Sequence, residues 1–494
     1  MKIYKPRKPE VFPKGRSEER EVRSLFVVCL LLVFPQIFFI GSTLGSAFGS
    51  VSSTKRVVVG SNEDVVRADD VVTLREAIEV VNGTLPLDKL SAAERVRVSM
   101  SDVPRIEFNL PKEQTTIYLK NMLPPLAVPS LVVDGTTQPG YPTNSNNVET
   151  QNFASLQNTN QVPVPVVAIT GVNSGDNNRV LRGLTIVADN IQVRGLSLYG
   201  FTSVHLSTES LPPADIFITD GSEKGEEGRN VNPPKNVVIE NNWLGVSPDS
   251  SKPSTTSAFG VSIFNAVGTV VRRNKIAHHD GSAIISAVKA ENSLIQENII
   301  TENGFAGMPD AIRLEGFVSG TRILSNVIFG NHGSGVFLFK PFGSVVLENN
   351  EIKSNGVSLR RAAVYLMGDG HQVLGNRISE QSGPGVVVAG YPQSYGNAIT
   401  GNMFAGLAGL SIDLVAQQNT GVKEYQEGDG GNPVSDSLQH RRKTGNFGVD
   451  APRFLSLEFF LIGLRVLFLL MVGLLLVLWW RYIRLRRMGL LLAL

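Results

Sequence analysis

One phrase recurs through the second half of the chain: an apolar residue, two variable residues, Asn, one variable residue, then another apolar residue. It reads IENNWL, VRRNKI, IQENII, ILSNVI, LENNEI, VLGNRI and ITGNMF, with asparagines at 242, 274, 298, 326, 350, 376 and 402. The steps between them are 32, 24, 28, 24, 26 and 26 residues. A period of this size implies a solenoid, whose core grows by adding coils, so the length of 494 residues does not divide into ordinary domains.

Between the phrases lies a second stretch rich in β-formers: FGVSIF, SAIISAV, DAIRLEG, SGVFLFK, AAVYLMG, GPGVVVAG and LSIDL. Each coil therefore holds at least two short strands separated by Gly and Asn turns. A leucine-rich repeat shares the Leu-x-x-Asn-x-Leu spacing, but the other half of its repeat is not Val, Ile and Phe with glycines. The pattern predicts an all-β, right-handed parallel β-helix. In such a fold equivalent residues stack about 4.8 Å apart, so Asn side chains can bond one another along the axis while tolerating the turn conformation. A second polar column follows five residues after each Asn, at His279, Asn303, Asn331, Asn355 and Gln381, which gives His279 a stacking role. NRVLRGLTI and NIQVRGLSLYGF read as earlier coils, and the stretches 142–165 and 207–236 as loops leaving the solenoid.

The open end of such a core needs a cover. In VVTLREAIEVVNG, Thr73 and Glu76 form a capping box, and Leu74, Ala77, Ile78 and Val81 share one helix face, which predicts an N-terminal capping helix.

The formal net charge of +2 hides a partition. Residues 1–24 carry +4 and residues 451–494 carry +5, leaving about −7 for the middle, which excludes a nucleic-acid grip there. The basic ends flank apolar runs. Leu25 to Ile40 reads as a signal peptide or signal anchor, and the 22 residues Phe459 to Trp480, with Arg465 as their only charge, read as a transmembrane helix. Arg481, Arg484, Arg486 and Arg487 would stay cytoplasmic, as would the N-terminus if uncleaved, so the middle is expected to be exoplasmic, periplasmic or extracellular. Cys29 is the single cysteine, so disulfides and multi-cysteine metal sites are excluded. The expected organisation is a basic leader with its apolar segment over 1–50, the capped β-helix over 51–414, an irregular segment over 415–454, and the membrane helix with a basic tail over 455–494.

TLREAI, IEFNLP, LPPL, VDGTTQPGY, NNWLGVSPD, IDL and GNFGVDAP together resemble bacterial surface-associated proteins with a CSLREA-type start and a pectate-lyase-like β-helix. The resemblance spans roughly Val72 to Pro452; Val72 stands where that motif has its cysteine, and the C-terminal span is a further departure. It implies a secreted or surface β-helix and no single activity.

Pectate-lyase-like enzymes hold Ca²⁺ with carboxylates and use Arg or Lys as base, so outward charged groups on neighbouring coils are the catalytic candidates: Asp280, Asp310, Arg313 and His332. Glu302 lies among them, but no dense aspartate cluster is present, and the GDGH at 368–371 reads as a turn. Calcium enters only under a lyase reading, and no other cofactor or metal is expected. More informative is the alternation of the second strands, which sends Phe264, Arg313, Glu315, Phe337, Phe339, Tyr365 and Met367 outward. That face is too apolar for bare solvent and requires a cover, either the chain's own Gln417 to Pro452 or a partner. The expected function is a membrane-anchored envelope protein binding a polysaccharide or envelope protein through this face; the alternative is a polysaccharide lyase, hydrolase or epimerase. Truncation after Leu414 separates the two covers: loss of a self-cover produces aggregation or new binding of an apolar dye, whereas a partner's face shows little change in dye fluorescence.

Overall fold

The computed structural model describes residues 54–142, 162–172, 180–202, 211–221, 232–357, 360–389 and 394–415. The expected apolar end segments and the Gln417 to Pro452 stretch lie outside the described residues. Among those described, no helix is long and apolar enough to cross a membrane.

The described strands form three long sheets, A with 12 strands, B with 10 and C with 9, and successive coils contribute one strand to each. One coil shows the pattern: Val270–Arg272 in sheet A, Lys275–Ala277 in sheet B, Ile284–Glu291 in sheet C, then Leu294–Gln296 back in sheet A. Pairing is parallel throughout except at the N-terminal edge, where Thr54–Val59 pairs antiparallel with Val98–Ser101. The chain is a right-handed parallel β-helix.

The recurring phrase spans the bend between sheets A and B. Its first apolar residue enters the core from sheet A and its last from sheet B, as Val271 and Ile276 do, both 0 % exposed. The residue before each ladder Asn turns the corner in the left-handed region: Asn241, Arg273, Glu297, Ser325 and Asn349 have φ between 52° and 56°. Such a conformation costs a non-glycine residue roughly 1–2 kcal/mol. The buried asparagines offset that cost.

Asn274 Oδ1 accepts from Asn242 N at 3.0 Å and Asn242 Nδ2 at 3.2 Å. The same double bond repeats upward from Asn274 to Asn298, to Asn326, to Asn350, to Asn376 and to Asn402. Each Nδ2 also donates to a core-strand carbonyl of the preceding coil, as Asn298 does to Val271 O at 2.8 Å.

A second ladder runs at the bend between sheets B and C. His279 Nδ1 faces Asn303 Oδ1 at 2.8 Å, Asn303 Nδ2 donates to Asn331 at 2.9 Å, and Asn331 Nδ2 to Asn355 at 2.8 Å. Gln381 shares the register and its Nε2 makes the same backbone bonds, to Ile352 O and Ser379 O, but its Oε1 takes no amide from Asn355. The chain of side-chain amides therefore ends at Asn355.

The N-terminal cover is α1, Leu74–Asn82. Both halves of the Thr73–Glu76 capping box form, and Gly83 ends the helix with φ 81°. Leu74, Ala77, Ile78 and Val81 join the main core, and Lys55 Nζ donates to Val80 O at 2.7 Å, a cation at the helix C-terminus.

Replacing Asn326 by Ala strands the donors on Asn298 and removes two bonds to Asn350 and Ile295. A loss of about 3–5 kcal/mol is expected in denaturant unfolding, against a smaller loss for Asn402→Ala at the part-exposed last coil. Equal losses at the two positions would remove the ladder's claim to hold the coils.

Candidate functional site

On sheet C the core positions Val261, Ile284, Ile312, Val336, Val364 and Val386 stand one above another. Strand alternation therefore turns Ser262, Ile285, Arg313, Phe337, Tyr365 and Val387 outward in a second column, in the pairing anticipated from the sequence. These outward side chains are nevertheless buried. Phe264, Phe337 and Tyr365 are each 1 % exposed and Met367 is 0 %, while Phe339 is half-buried. Phe264 and Ile285 pack with Phe217, Phe259 and Met308, and Phe337 with Tyr365, Met367 and Val387.

Embedded in this face is an ion cluster. Arg361 Nη1 lies 3.2 Å from Asp310 Oδ1, Arg313 Nη1 3.7 Å from Asp310 Oδ2, and Arg313 Nη2 3.3 Å from Glu315 Oε2. Ser334 N donates to Asp310 Oδ1 at 2.9 Å. The Arg313 guanidinium also sits 4.9 Å from the Phe337 ring centre and 4.5 Å from that of Phe339. Charges taken out of water require this kind of pairing, and removing one partner leaves the others uncompensated. Asp310 and Arg313 are thus committed to each other and to Arg361. Arg361 comes from the loop 51 residues beyond Asp310, and no local sequence signal links the two.

The face opens toward the corner between sheets C and A. There Phe317 and Phe342, on adjacent coils, are 47 % and 63 % exposed, with ring centres 5.1 Å apart and planes at 26°. A parallel bridge joins Phe317 to Phe342 and another joins it to Lys289.

Asp280 and His332, like Asp310 and Arg361, lie on the bend between sheets B and C. Asp280 accepts from Thr256 Oγ1 at 2.7 Å and Thr202 Oγ1 at 3.4 Å. His332 packs on Phe305 at 4.4 Å between ring centres, and Lys252 Nζ covers the same ring at 3.7 Å. His278 Nδ1 lies 3.3 Å from Glu302 Oε2 on the next coil. Burial, together with the charge of Lys252, holds His332 below the usual imidazole range. His278 is held down by burial and by its cationic neighbours against the pull of Glu302. Of the four catalytic candidates, Asp310 and Arg313 are paired with each other, Asp280 is held by two threonine hydroxyls, and His332 packs on Phe305.

One buried network was invisible in the sequence, because its members are 64 residues apart: His279 Nε2 lies 2.8 Å from Asp215 Oδ2. Asn303 Nδ2 is committed to Ile276 O, Thr301 O and Asn331 Oδ1, so its oxygen must face His279 and the imidazole proton sits on Nδ1. Burial pushes the Asp215 carboxyl above its ordinary value, against the pull of His279, Ser257 and the Gly245 amide. Asp215 Oδ2 faces Nε2, while its other oxygen takes the Ser257 hydroxyl. His371 of the GDGH stretch is likewise structural: Nδ1 accepts from Val345 N at 3.1 Å and Nε2 donates to Met367 O at 3.0 Å.

Among the described residues, no group of three or more His, Cys, Asp or Glu side chains is placed to hold a metal ion. A family profile described as "Right handed beta helix region" matches residues 222–374. No curated protein matches the chain in sequence. Solved structures similar to it include DFA-IIIase from Arthrobacter chlorophenolicus A6 without its lid in complex with GF2, 11% identical over 73% of this chain and 91% of that one, TM-score 0.42. The surface adhesin PfbA of Streptococcus pneumoniae is 12% identical over 64% and 84%, TM-score 0.35. The enzymatically active domain of bacteriophage CBA120 tailspike protein 2 is 8% identical over 79% and 59%, TM-score 0.40.

Two opposite pH dependences follow. Burial depresses His371 to about 4, so its stabilisation is whole above about 6.5 and falls as pH drops toward that value, by roughly 3 kcal/mol. Asp215 is raised, so its contribution is whole below about 3.9 and is lost as pH climbs through its folded value. His371→Gln, whose amide can serve both backbone partners, should flatten the acid side of the stability profile relative to the parent. Asp215→Asn, which offers a donor toward His279, should gain on the parent as pH rises. Profiles parallel to the parent's would contradict both assignments.

Proposed function

We propose that this chain is a β-helical recognition protein of the cell envelope that binds a glycan or protein along the sheet C side. Its C-terminal apolar segment holds it to the membrane, with the solenoid on the non-cytoplasmic side, the basic tail in the cytoplasm and, if the N-terminal segment is uncleaved, the N-terminus there as well. The observation that carries the recognition reading is the exposed Phe317–Phe342 stack, which lies where the aromatic columns of sheet C reach the surface. Rings on adjacent coils of a solenoid form a rigid apolar platform, so a ligand gains contact area without ordering flexible side chains. Buried beside the outward columns, the Asp310–Arg313–Arg361–Glu315 cluster joins two coils across the one between them and favours rigidity over chemistry, since these groups are already paired. Recognition is accordingly assigned to the exposed rings and Phe339, and support to Phe264, Phe337, Tyr365 and Met367.

A polysaccharide-active enzyme is the second reading. It is favoured by one observation, the exposed Glu302 beside His278 at the opposite corner, a carboxylate and an imidazole suited to proton transfer. The whole chain, incubated with uronate and neutral polysaccharides with and without Ca²⁺, distinguishes the two. Binding without turnover is expected, weakened about tenfold or more by the Phe317→Ala, Phe342→Ala pair. New reducing ends or unsaturated products would transfer the assignment to the enzyme; binding unaffected by the pair would overturn the platform.

A further inference from the structure

We propose that the corner between sheets B and C, where Lys252, Lys275, His278, Glu302, Phe305 and His332 meet, is a binding site for a phosphate monoester carried on a sugar ring. The corner lies on a different edge of the solenoid from the Phe317–Phe342 stack, and its occupancy is independent of what that stack binds. Three successive coils supply His278, Glu302 and His332, and the excursion before them supplies Lys252. Phe305 is 40 % exposed, with Lys252 Nζ 3.7 Å from its ring centre and the His332 ring centre at 4.4 Å, so a group resting against the open part of the ring has both nitrogen-bearing side chains beside it. Lys275, stacked over Trp243 at 4.3 Å, adds a second ammonium.

Charge selects the ligand. Two lysines stand against Glu302, whose carboxylate already lies 3.3 Å from His278 Nδ1, while the Asp280 carboxylate, two coils before His332, is taken up by the Thr256 and Thr202 hydroxyls. Glu302 raises both imidazoles, yet burial and Lys252 together hold each below its ordinary value, and His278 also feels His279 and Lys275. The positive field is thus left partly uncompensated, and an arriving anion both neutralises the lysines and lets an imidazole take up a proton. Two lysines against Glu302 leave about +1, and an imidazole that takes up a proton raises this to about +2, which suits the −1.5 to −2 that a phosphate monoester carries at pH 7. Its three free oxygens can face Lys252, His332 and His278 together, with lysine acting as a point charge toward phosphate. Phe305 supplies an apolar surface for the sugar ring.

The test follows the histidine ring signals of the whole chain in detergent micelles, titrated with glucose 6-phosphate, inorganic phosphate, glucose or glucuronate at constant ionic strength. His332→Asn and His278→Asn assign the signals, and the buried His279 and His371 report that the fold is intact. Glucose 6-phosphate should move His278 and His332 saturably and raise their pKa by about half a unit or more. Lys252→Ala should weaken it about tenfold, Phe305→Ala should abolish its advantage over inorganic phosphate, and Lys112→Ala should change nothing. Shifts that never saturate, that survive Lys252→Ala, or that glucuronate reproduces at equal concentration would overturn the proposal.

Discussion

The structure depends on one interaction, the amide of a buried asparagine bonded to the same amide on the next coil. A parallel solenoid must turn a corner at every side of every coil, and each corner leaves backbone groups facing inward with no strand partner. Here the Asn side chain fills that role at the bend between sheets A and B, taking a backbone N–H and an amide N–H with its oxygen and giving its own hydrogens to a carbonyl and to the next amide. The left-handed residues at the corners, the registry of the core columns and the direction of every outward side chain follow from it. A shift of one residue would put Arg272 or Lys275 into the core in place of Val271 or Ile276.

This explains what the sequence made legible. The ladder needs Asn at one position per coil, and the core needs an apolar residue on either side of the bend, so the phrase recorded both. The outward column of sheet C from Ser262 to Val387 followed by alternation, and its pairing was readable from the repeat, whereas simple counting fails past Ile263, where the register shifts. The third side of each coil was less legible, because the bends between sheets C and A use Asn190, Asn236, Gly268, Asn292 and Gly320, and no constant phrase survives such mixing. Contacts made across coils by charge were not legible at all. Arg361 reaches Asp310 from a loop, and Asp215 reaches His279 from two coils below; neither spacing repeats.

The same geometry divides the solenoid's surface by chemistry. Sheet A carries ion pairs along its outer columns, with Asp134 held by Arg105 and Arg194, and Glu240 held by Arg272 and Arg273. Sheet C carries the apolar columns and their buried ion cluster, opening at an aromatic corner. The bend between sheets B and C carries the mixed cluster of lysines, imidazoles and Glu302.

The most direct measurement of the central claim is amide hydrogen exchange at the backbone N–H groups of Asn274, Asn298, Asn326 and Asn350. Each donates to the side-chain oxygen of the next coil's asparagine, at 2.9–3.0 Å, and not to a strand. The ladder predicts protection as high as that of the neighbouring core strands, with exchange only when the coils separate. Exchange at the rate of ordinary surface turns would contradict it and would leave the register to the apolar columns alone.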